Sequence, residues 1–396
     1  MNPFDQPIDR LGTNSVKWDD KKRFFNGEDV LPLWVADMDF ACPPCVTEAL
    51  VKRAQHPIYG YPGISQEMFE AVIGWMQRRF GVEVQQEWLM TLPGVVPGLH
   101  YAIDAFTEPG DKVIVQSPVY YPFYQSVRNR GRTLVENPLK ETDGYYAIDF
   151  DDLRSKIDEQ TKMLILCSPH NPVGRVWSRE ELTTLAEICV EHDLLIVSDE
   201  LHCDLVYEKG THIPIFSLSP EIAERSITLI APSKTFNLAG LFTSIAIAPN
   251  PRVAREFRAA MGKTGIEFVN LFGIEALTAA YQGGDEWLDS LLLYLRGNAA
   301  YIQQFLQERM PQVTMRLPEA TYLGWIDFRA LGLSAAELKQ LMIHEAGVGL
   351  SDGLSFGERG AGFQRINFAC PRSILEEGME RIWRAVQGVL AKKQQA

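Results

Sequence analysis

Four short runs of apolar residues recur in the middle of the chain and give the most direct indication of its secondary structure. They occupy residues 112–115, 163–167, 194–198 and 227–230. The runs are rich in β-branched residues, and polar residues do not alternate with the apolar ones, which is typical of strands buried on both faces. We therefore expect a sheet whose central strands have no solvent-facing side.

Segments with a helical pattern separate these strands. Ser178 and Glu181 have the spacing of a capping box and predict a helix that continues to about His192. Ser373 and Glu376 have the same spacing and predict the start of the last helix. Further helices are predicted at residues 46–53, 97–106 and 287–310. Alternating strands and helices indicate right-handed βαβ units, and so a parallel sheet with helices on both faces.

The alternation fades at residues 281–285, where two consecutive glycines interrupt the pattern. We predict an α/β fold with a large domain at residues 46–285 and a smaller α+β domain at residues 286–396. Residues 1–45 are rich in Pro and Asp, and we expect this segment to pack on the smaller domain.

Charge and composition narrow the possible partners. The chain has 38 Lys and Arg against 51 Asp and Glu, a net charge of −13, which disfavours binding to nucleic acid or to an anionic membrane. No stretch approaches the roughly 18 consecutive apolar residues of a membrane span. The N-terminus lacks the pattern of a signal peptide. We therefore expect a cytoplasmic protein that binds neither nucleic acid nor membrane.

Common cofactor and metal motifs are missing from the sequence. There is no P-loop, no GxGxxG after a strand, no HExxH and no GxSxG. Cys42 and Cys45 form a CxxC pair without a second pair or a histidine partner, so we interpret them as loop residues and expect no metal. Six cysteines are too few for a disulfide scaffold.

Reactive side chains follow each of the four predicted strands. In chain order they are Tyr120 and Tyr121, then Asn171, then Asp199 and His202, then Lys234. Ligands of open parallel sheets bind beyond the carboxyl ends of the strands. Each residue alone has an ordinary structural explanation, such as a helix cap, a turn or a solvated surface. Together they predict a binding site for a small molecule.

Four motifs carry a resemblance to a known family. They are Ser168-Pro-His-Asn171-Pro-Val-Gly, Ser198-Asp199-Glu-Leu-His202, Ser233-Lys234-Thr-Phe-Asn and Arg365-Ile-Asn-Phe-Ala. Asp199 follows Asn171 by 28 residues, and Lys234 follows Asp199 by 35. This arrangement resembles the fold-type I pyridoxal-phosphate enzymes of the aspartate aminotransferase superfamily, over nearly the whole chain. Segments 33–40, 56–61 and 233–241 resemble the cystathionine β-lyase branch of MalY/PatB-type carbon–sulfur lyases.

The resemblance implies a mainly parallel, seven-stranded sheet in the large domain, and it implies a role for each residue that follows a strand. Lys234 would bind pyridoxal 5′-phosphate covalently and then remove the substrate's Cα proton. Asp199 would pair with the pyridine nitrogen, and Asn171 would donate to the phenolate oxygen. His202 would lie on the same edge, where related aminotransferases usually have Tyr. Tyr120 would stack on the ring and assist proton transfer, with Tyr121 packing beside it.

The phosphate and the substrate would be held by a second set of residues. The resemblance places the phosphate against the backbone of Gly94, Val95 and Val96 at a helix start, with the Ser233 hydroxyl and with Tyr61 from the neighbouring subunit of a homodimer. Arg365 would grip the substrate's α-carboxylate. The expected substrate contacts also include Asp37 and Tyr61.

One position departs from the pattern of aminotransferases. Many of them carry an arginine eight residues after the cofactor lysine, where this chain has Phe242. The departure favours a β-lyase that cleaves L-cystathionine or other S-substituted L-cysteines to a thiol, pyruvate and ammonia. An aminotransferase of the same fold is the first alternative. A lyase with an additional regulatory role, in which it binds another protein, is the second.

Overall fold

The computed structural model describes residues 2–266 and 269–395. Its strands are β1 (Leu31–Pro32), β2 (Leu89–Leu92), β3 (Lys112–Val115), β4 (Thr133–Glu136), β5 (Lys140–Thr142), β6 (Tyr145–Ala147), β7 (Thr161–Cys167), β8 (Leu195–Asp199), β9 (Ser226–Ile230), β10 (Ser244–Ile247), β11 (Thr314–Met315), β12 (Leu323–Asp327), β13 (Val348–Gly349), β14 (Ser351–Asp352) and β15 (Phe363–Asn367). All four apolar runs predicted as strands fall on strands of the structure, within two residues at each end.

The α-helices are α1 (Lys21–Phe24), α2 (Pro44–Ala54), α3 (Gln66–Phe80), α4 (Val95–Phe106), α5 (Pro122–Arg128), α6 (Phe150–Lys156), α7 (Arg179–Glu191), α8 (Pro220–Ala223), α9 (Pro232–Thr235), α10 (Pro251–Gly262), α11 (Leu271–Gly283), α12 (Asp285–Arg309), α13 (Ala335–Gln340) and α14 (Arg372–Gln395). The capping box that opens α7 has both of its hydrogen bonds, between Ser178 and Glu181.

Four helices start earlier than predicted, and α2, α4 and α12 do so by two residues each. α4 begins at Val95 rather than at residue 97, because Pro97 is tolerated in the first turn, where its missing N–H is not needed. α14 begins at Arg372, directly after Pro371, so Ser373 lies inside the helix and the predicted capping box at Ser373 is wrong. The Pro371 carbonyl accepts from the backbone N–H of Ile374, so the first turn starts at the proline.

Seven strands form the large sheet, in the order β2-β10-β9-β8-β7-β3-β4. Strands β4, β3, β7, β8 and β9 run parallel, and β10 runs antiparallel to both of its neighbours. β9 is buried at every position, and β3, β7 and β8 at all but one. This agrees with strands covered on both faces, and the prediction of a mainly parallel sheet is confirmed.

A second sheet, antiparallel and four-stranded, has the order β11-β12-β15-β14. The N-terminal segment joins this part of the molecule through backbone pairing. β1 pairs in parallel with β13, and the Leu33 carbonyl accepts from the N–H of Asn367 on β15. The chain passes from α11 to α12 at Gly284. The boundaries at residues 45 and 285 stay predictions.

None of the helices in the described part of the chain combines the length and the apolar character that crossing a membrane requires.

Candidate active site

The carboxyl ends of the parallel strands place the predicted site residues at one edge of the large sheet. β7, β8 and β9 are adjacent, with Cys167 opposite Asp199 and Asp199 opposite Leu229. The chain segments that leave these strands therefore start side by side. The backbone N–H of Ser168 donates to the Asp199 carbonyl at 3.0 Å, which ties the first two segments together.

Lys234 lies in the short helix α9, directly after β9. Its Nζ donates to the carbonyl oxygen of Ala36 at 2.5 Å. Loss of solvation lowers the pKa of Lys234 to about 8, and the positive charge of Arg365 acts in the same direction, whereas Asp37 and Asp199 oppose the shift. Since the ordinary value is near 10.5, a substantial fraction of the amine is neutral at mildly alkaline pH, as a nucleophile or base requires.

Asp199 is the last residue of β8 and is buried. Burial raises its pKa to about 7, and the negative charge of the neighbouring Glu200 adds to the rise. The N–H of Leu201 donates to Oδ1 at 3.1 Å and partly offsets it. A cation beside this carboxyl group would lower its pKa again and stabilise the ionised form. The position therefore favours a positively charged or protonated ligand atom.

His202 and Asn171 are both buried beside these charges. Burial lowers the pKa of His202 to about 3, and the positive charges of Lys234 and Arg365 contribute, so the imidazole is neutral at physiological pH. Its Nδ1 has no hydrogen-bond partner among the described residues. Asn171 accepts a hydrogen bond from Arg365 at 3.1 Å, and its amide N–H groups remain able to donate to a ligand.

Arg365 projects from β15 of the smaller sheet and is buried. One Nη donates to Asn171, and the other donates to the Trp34 carbonyl at 3.0 Å and to the Ser351 hydroxyl at 3.2 Å. The guanidinium also lies 4.8 Å from the centre of the Phe356 ring. No carboxylate of the described residues forms an ion pair with it. Burial lowers its pKa to about 10. A buried cation without an anionic partner is suited to bind a carboxylate ligand.

Two adjacent tyrosines follow β3. The rings of Tyr120 and Tyr121 are 5.0 Å apart and tilted. Tyr120 is the more buried, and burial raises its pKa well above the ordinary value, so its hydroxyl stays protonated. Tyr121 is 44% exposed. The charges of Arg365 and Asp199 act on Tyr120, which places it near the site, and the roles of both tyrosines stay predictions.

The residues predicted to hold a phosphate lie at the starts of two helices. Gly94 caps α4 with an extended backbone that any residue adopts, so its conformation does not require glycine. A Cβ there would contact only Pro97, at 3.4 Å. Val95 is buried and Val96 half-buried in the first turn, and Ser233 is half-buried in α9. The first N–H groups of a helix have no partner within the helix, so the start of α4 suits an anion.

The last two predicted residues differ in position, because Tyr61 lies on the surface whereas Asp37 is close enough for its charge to act on Lys234. Tyr61 is 90% exposed on the surface of the chain. Both Asp37 oxygens accept from Arg10, at 3.1 and 2.7 Å, so the carboxylate is already engaged within the chain. Lys17 lies 3.6 Å from the same carboxylate.

Sequence reasoning missed several groups that complete the site. The Ala36 carbonyl accepts from both Lys234 and the hydroxyl of Tyr322, and the Ser351 hydroxyl holds Arg365. These contacts join residues far apart in sequence. Ser351 lies opposite Arg365 in the small sheet, a register that the structure gives and the sequence does not.

The fold and this set of residues define the class of protein. The chain belongs to the family aminotransferase class I and II, whose sequence model matches residues 28–382. It is 48% identical to cystathionine beta-lyase PatB of Bacillus subtilis (strain 168) over 380 residues, which cover 96% of this chain and 98% of the relative. It is 32% identical to protein MalY of Escherichia coli (strain K12), covering 98% of this chain and 100% of MalY.

A solved structure shows the same fold. The crystal structure of cystalysin from Treponema denticola, which contains a pyridoxal 5′-phosphate cofactor, superimposes with a TM-score of 0.95 at 38% identity. The match covers 98% of this chain and 99% of cystalysin.

Replacing Lys234 by Met should raise the melting temperature of the cofactor-free protein, and by more at pH 7 than at pH 10. Because the pKa of Lys234 is about 8 when folded and near 10.5 when unfolded, the unfolded chain binds more protons between these values, and stability increases with pH. Below pH 8 the full cost of burying the charge, at most roughly 3 kcal/mol, opposes folding.

Calorimetry of both proteins at the two pH values checks this prediction. Lys209→Met is the matched control, because the Lys209 side chain is 74% exposed and its removal relieves no burial. A stability gain for Lys234→Met that is equal at pH 7 and pH 10 would contradict the assignment of a destabilising buried amine.

Proposed function

We propose that the protein is a pyridoxal-phosphate-dependent carbon–sulfur β-lyase. Its substrates are L-cystathionine or other S-substituted L-cysteines, and its products are a thiol, pyruvate and ammonia. The observation that carries the proposal is a lysine amine of lowered pKa beside a buried arginine that forms no ion pair with a carboxylate of the described residues. Such a pair suits an α-amino acid, whose carboxylate binds the guanidinium while its Cα lies near the amine. The similarity to PatB supports the same reaction.

The residues present fit pyridoxal phosphate. Lys234 supplies an amine for the aldehyde, and Asp199 supplies a buried carboxylate for a protonated ring nitrogen. Neither Nδ1 of His202 nor the amide N–H groups of Asn171 have a hydrogen-bond partner in the part of the chain that the structure describes, so both offer polar groups for the ring edge. The start of α4 offers N–H groups for the phosphate. Each polar part of the cofactor thus has a chemically matched group in the chain.

The mechanism assigns each chain residue one task. Arg365 binds the substrate carboxylate and fixes which Cα bond faces Lys234. Lys234, in its neutral form, takes the Cα proton. When bound, the cofactor accepts the electrons of the broken Cα–H bond through its ring. The Asp199 carboxylate would pair with a protonated ring nitrogen and hold its proton. Sulfur then leaves Cβ as a thiolate, and the released enamine hydrolyses to pyruvate and ammonia.

Phe242 supports a lyase over an aminotransferase of the same fold. Its side chain is 65% exposed, and it lies where many aminotransferases carry an arginine. The phosphate would then depend on backbone N–H groups, on Ser233 and on a partner subunit.

Pyruvate release from L-cystathionine without any keto acid tests the proposed function. We expect steady release by the purified protein loaded with pyridoxal phosphate, and a loss of several orders of magnitude in Lys234→Ala. Lys209→Ala, an exposed lysine, serves as the control. Amino exchange with glutamate in the absence of pyruvate release would identify an aminotransferase and contradict the lyase assignment.

We also propose that the functional unit is a homodimer in which Tyr61 reaches the phosphate of the neighbouring site. Three large side chains of one segment are exposed, Ile58 at 67%, Tyr59 at 57% and Tyr61 at 90%, and Phe242 is exposed as well. Large exposed side chains that follow one another in one short segment, as Ile58, Tyr59 and Tyr61 do, are typical of an interaction surface. A symmetric dimer would bury them twice.

Subunit exchange tests the shared site. Mixing two inactive variants, Tyr61→Ala and Lys234→Ala, should restore up to about a quarter of the wild-type pyruvate release, because half of the randomly paired dimers are hybrids with one intact site. Native mass spectrometry would establish that exchange took place. Full activity of Tyr61→Ala alone, or no recovery after proven exchange, would show that the site is not shared.

A cytoplasmic location is part of the proposal. All six cysteines are free thiols, as a reducing compartment favours.

A further inference from the structure

Four consecutive residues that start at Lys234 each contact residues distant in sequence. Lys234 bonds to the Ala36 carbonyl, Thr235 to the carboxylate of Asp204, and Phe236 contacts the ring of Trp75, while Asn237 bonds to the carbonyls of Met38 and Phe40. Three of these anchors are backbone carbonyls or aromatic rings. The anchor of Thr235 is different, because it is a buried carboxylate.

Asp204 is 2% exposed and lies in the turn that follows β8, two residues after His202. Its Oδ2 accepts from the Thr235 hydroxyl at 2.8 Å, and its Oδ1 accepts from Trp75 Nε1 at 2.9 Å. No cation of the described residues forms an ion pair with it. Two neutral donors therefore hold a carboxylate that burial penalises, and such bonds are short and directional.

We propose that Asp204 is a positioning residue that fixes Lys234, through Thr235, relative to Asp199 and His202. This inference rests on the proposed role of Lys234 in binding the cofactor. Asp199 ends β8, and His202 lies with Asp204 in the turn that follows, whereas Lys234 lies in α9 after the neighbouring strand β9. The bond between Asp204 and Thr235 therefore spans the two segments that would hold opposite ends of one rigid ring.

Trp75 holds the Asp204 side chain in a fixed position. Its ring stacks on Tyr281 at 5.0 Å with an interplanar angle of 11°, and Arg79 lies 5.4 Å from its centre. The indole is 1% exposed, so it cannot move without disturbing the packing of α3. Trp75 therefore fixes one carboxylate oxygen of Asp204. The other oxygen fixes Thr235, and with it α9, the helix that carries Lys234. A displacement of about 1 Å at a reacting atom is sufficient to slow a reaction strongly.

Substitutions that preserve the shape of the side chain test the hydrogen bond between Thr235 and Asp204 with little other change. Thr235→Val removes the hydroxyl, Thr235→Ser keeps it, and Asp204→Asn removes the charge. Thr278→Val is the matched control, because Thr278 is also buried and its hydroxyl donates to the Ile274 carbonyl within α11. The control variant loses one buried hydroxyl and leaves α9, the helix that carries Lys234, unchanged.

We expect Thr235→Val to weaken the binding of pyridoxal phosphate to the cofactor-free protein, and to lower kcat for L-cystathionine, each by about tenfold or more, the scale of a hydrogen bond to a charged group. KM should change much less, because Arg365 is untouched. Thr235→Ser should recover most of both losses. The double variant with Asp204→Asn should be within about twofold of the worse single variant, since the charge of Asp204 is proposed to act through the bond that Thr235→Val has already removed.

Three results would overturn the proposal. The first is cofactor affinity in Thr235→Val equal to that in Thr278→Val, and the second is failure of Thr235→Ser to recover it. The third is losses that multiply in the double variant. If Asp204→Asn does not fold, the two Thr235 variants decide alone. Wild-type protein that binds the cofactor but releases no pyruvate would refute the lyase proposal, and the affinity measurements would still decide on Asp204.

Discussion

Desolvation of ionisable groups at one edge of a parallel sheet is the constraint on which the site depends. Asp199 and Lys234 lie at the carboxyl ends of the neighbouring strands β8 and β9, and Arg365 projects from β15 of the smaller sheet. Loss of solvation raises the pKa of Asp199 and lowers the pKa of Lys234 and Arg365, and each shift favours the neutral form of the group. Such groups disfavour folding, so the buried apolar strands beneath them must supply the stability that holds them in place. The same desolvation makes the lysine a usable base and the arginine a strong carboxylate ligand.

The N-terminal segment connects the two sheets at this point. Its backbone accepts from Lys234 at Ala36 and from Arg365 at Trp34, so one short stretch of chain touches the group proposed to take the proton and the group proposed to hold the substrate. The Leu33 carbonyl, one residue further back, is bonded to β15. Because these are backbone carbonyls, the arrangement depends on the path of the chain more than on the side chains of this stretch.

Local patterns in the sequence predicted the sheet and the residues at its edge, because apolar runs and the residues that follow them are adjacent in the chain. β3 matched its predicted bounds, and Asn171, Asp199 and Lys234 came together as expected. Contacts between distant residues were not predictable, among them Tyr322 with Ala36 and Asp204 with Thr235. The start of α14 was missed because the proline before it competes with a capping box. The role of Tyr61 depends on a second chain and stays a prediction.

The central claim is that Lys234 is the residue that binds the cofactor. Reduction of the pyridoxal-phosphate-loaded protein with borohydride, followed by peptide mapping with mass spectrometry, measures this directly. The account predicts a stable pyridoxyl adduct on Lys234 alone, at one per chain, and none in Lys234→Ala. An adduct on a different lysine, with Lys234 unmodified, would contradict the account.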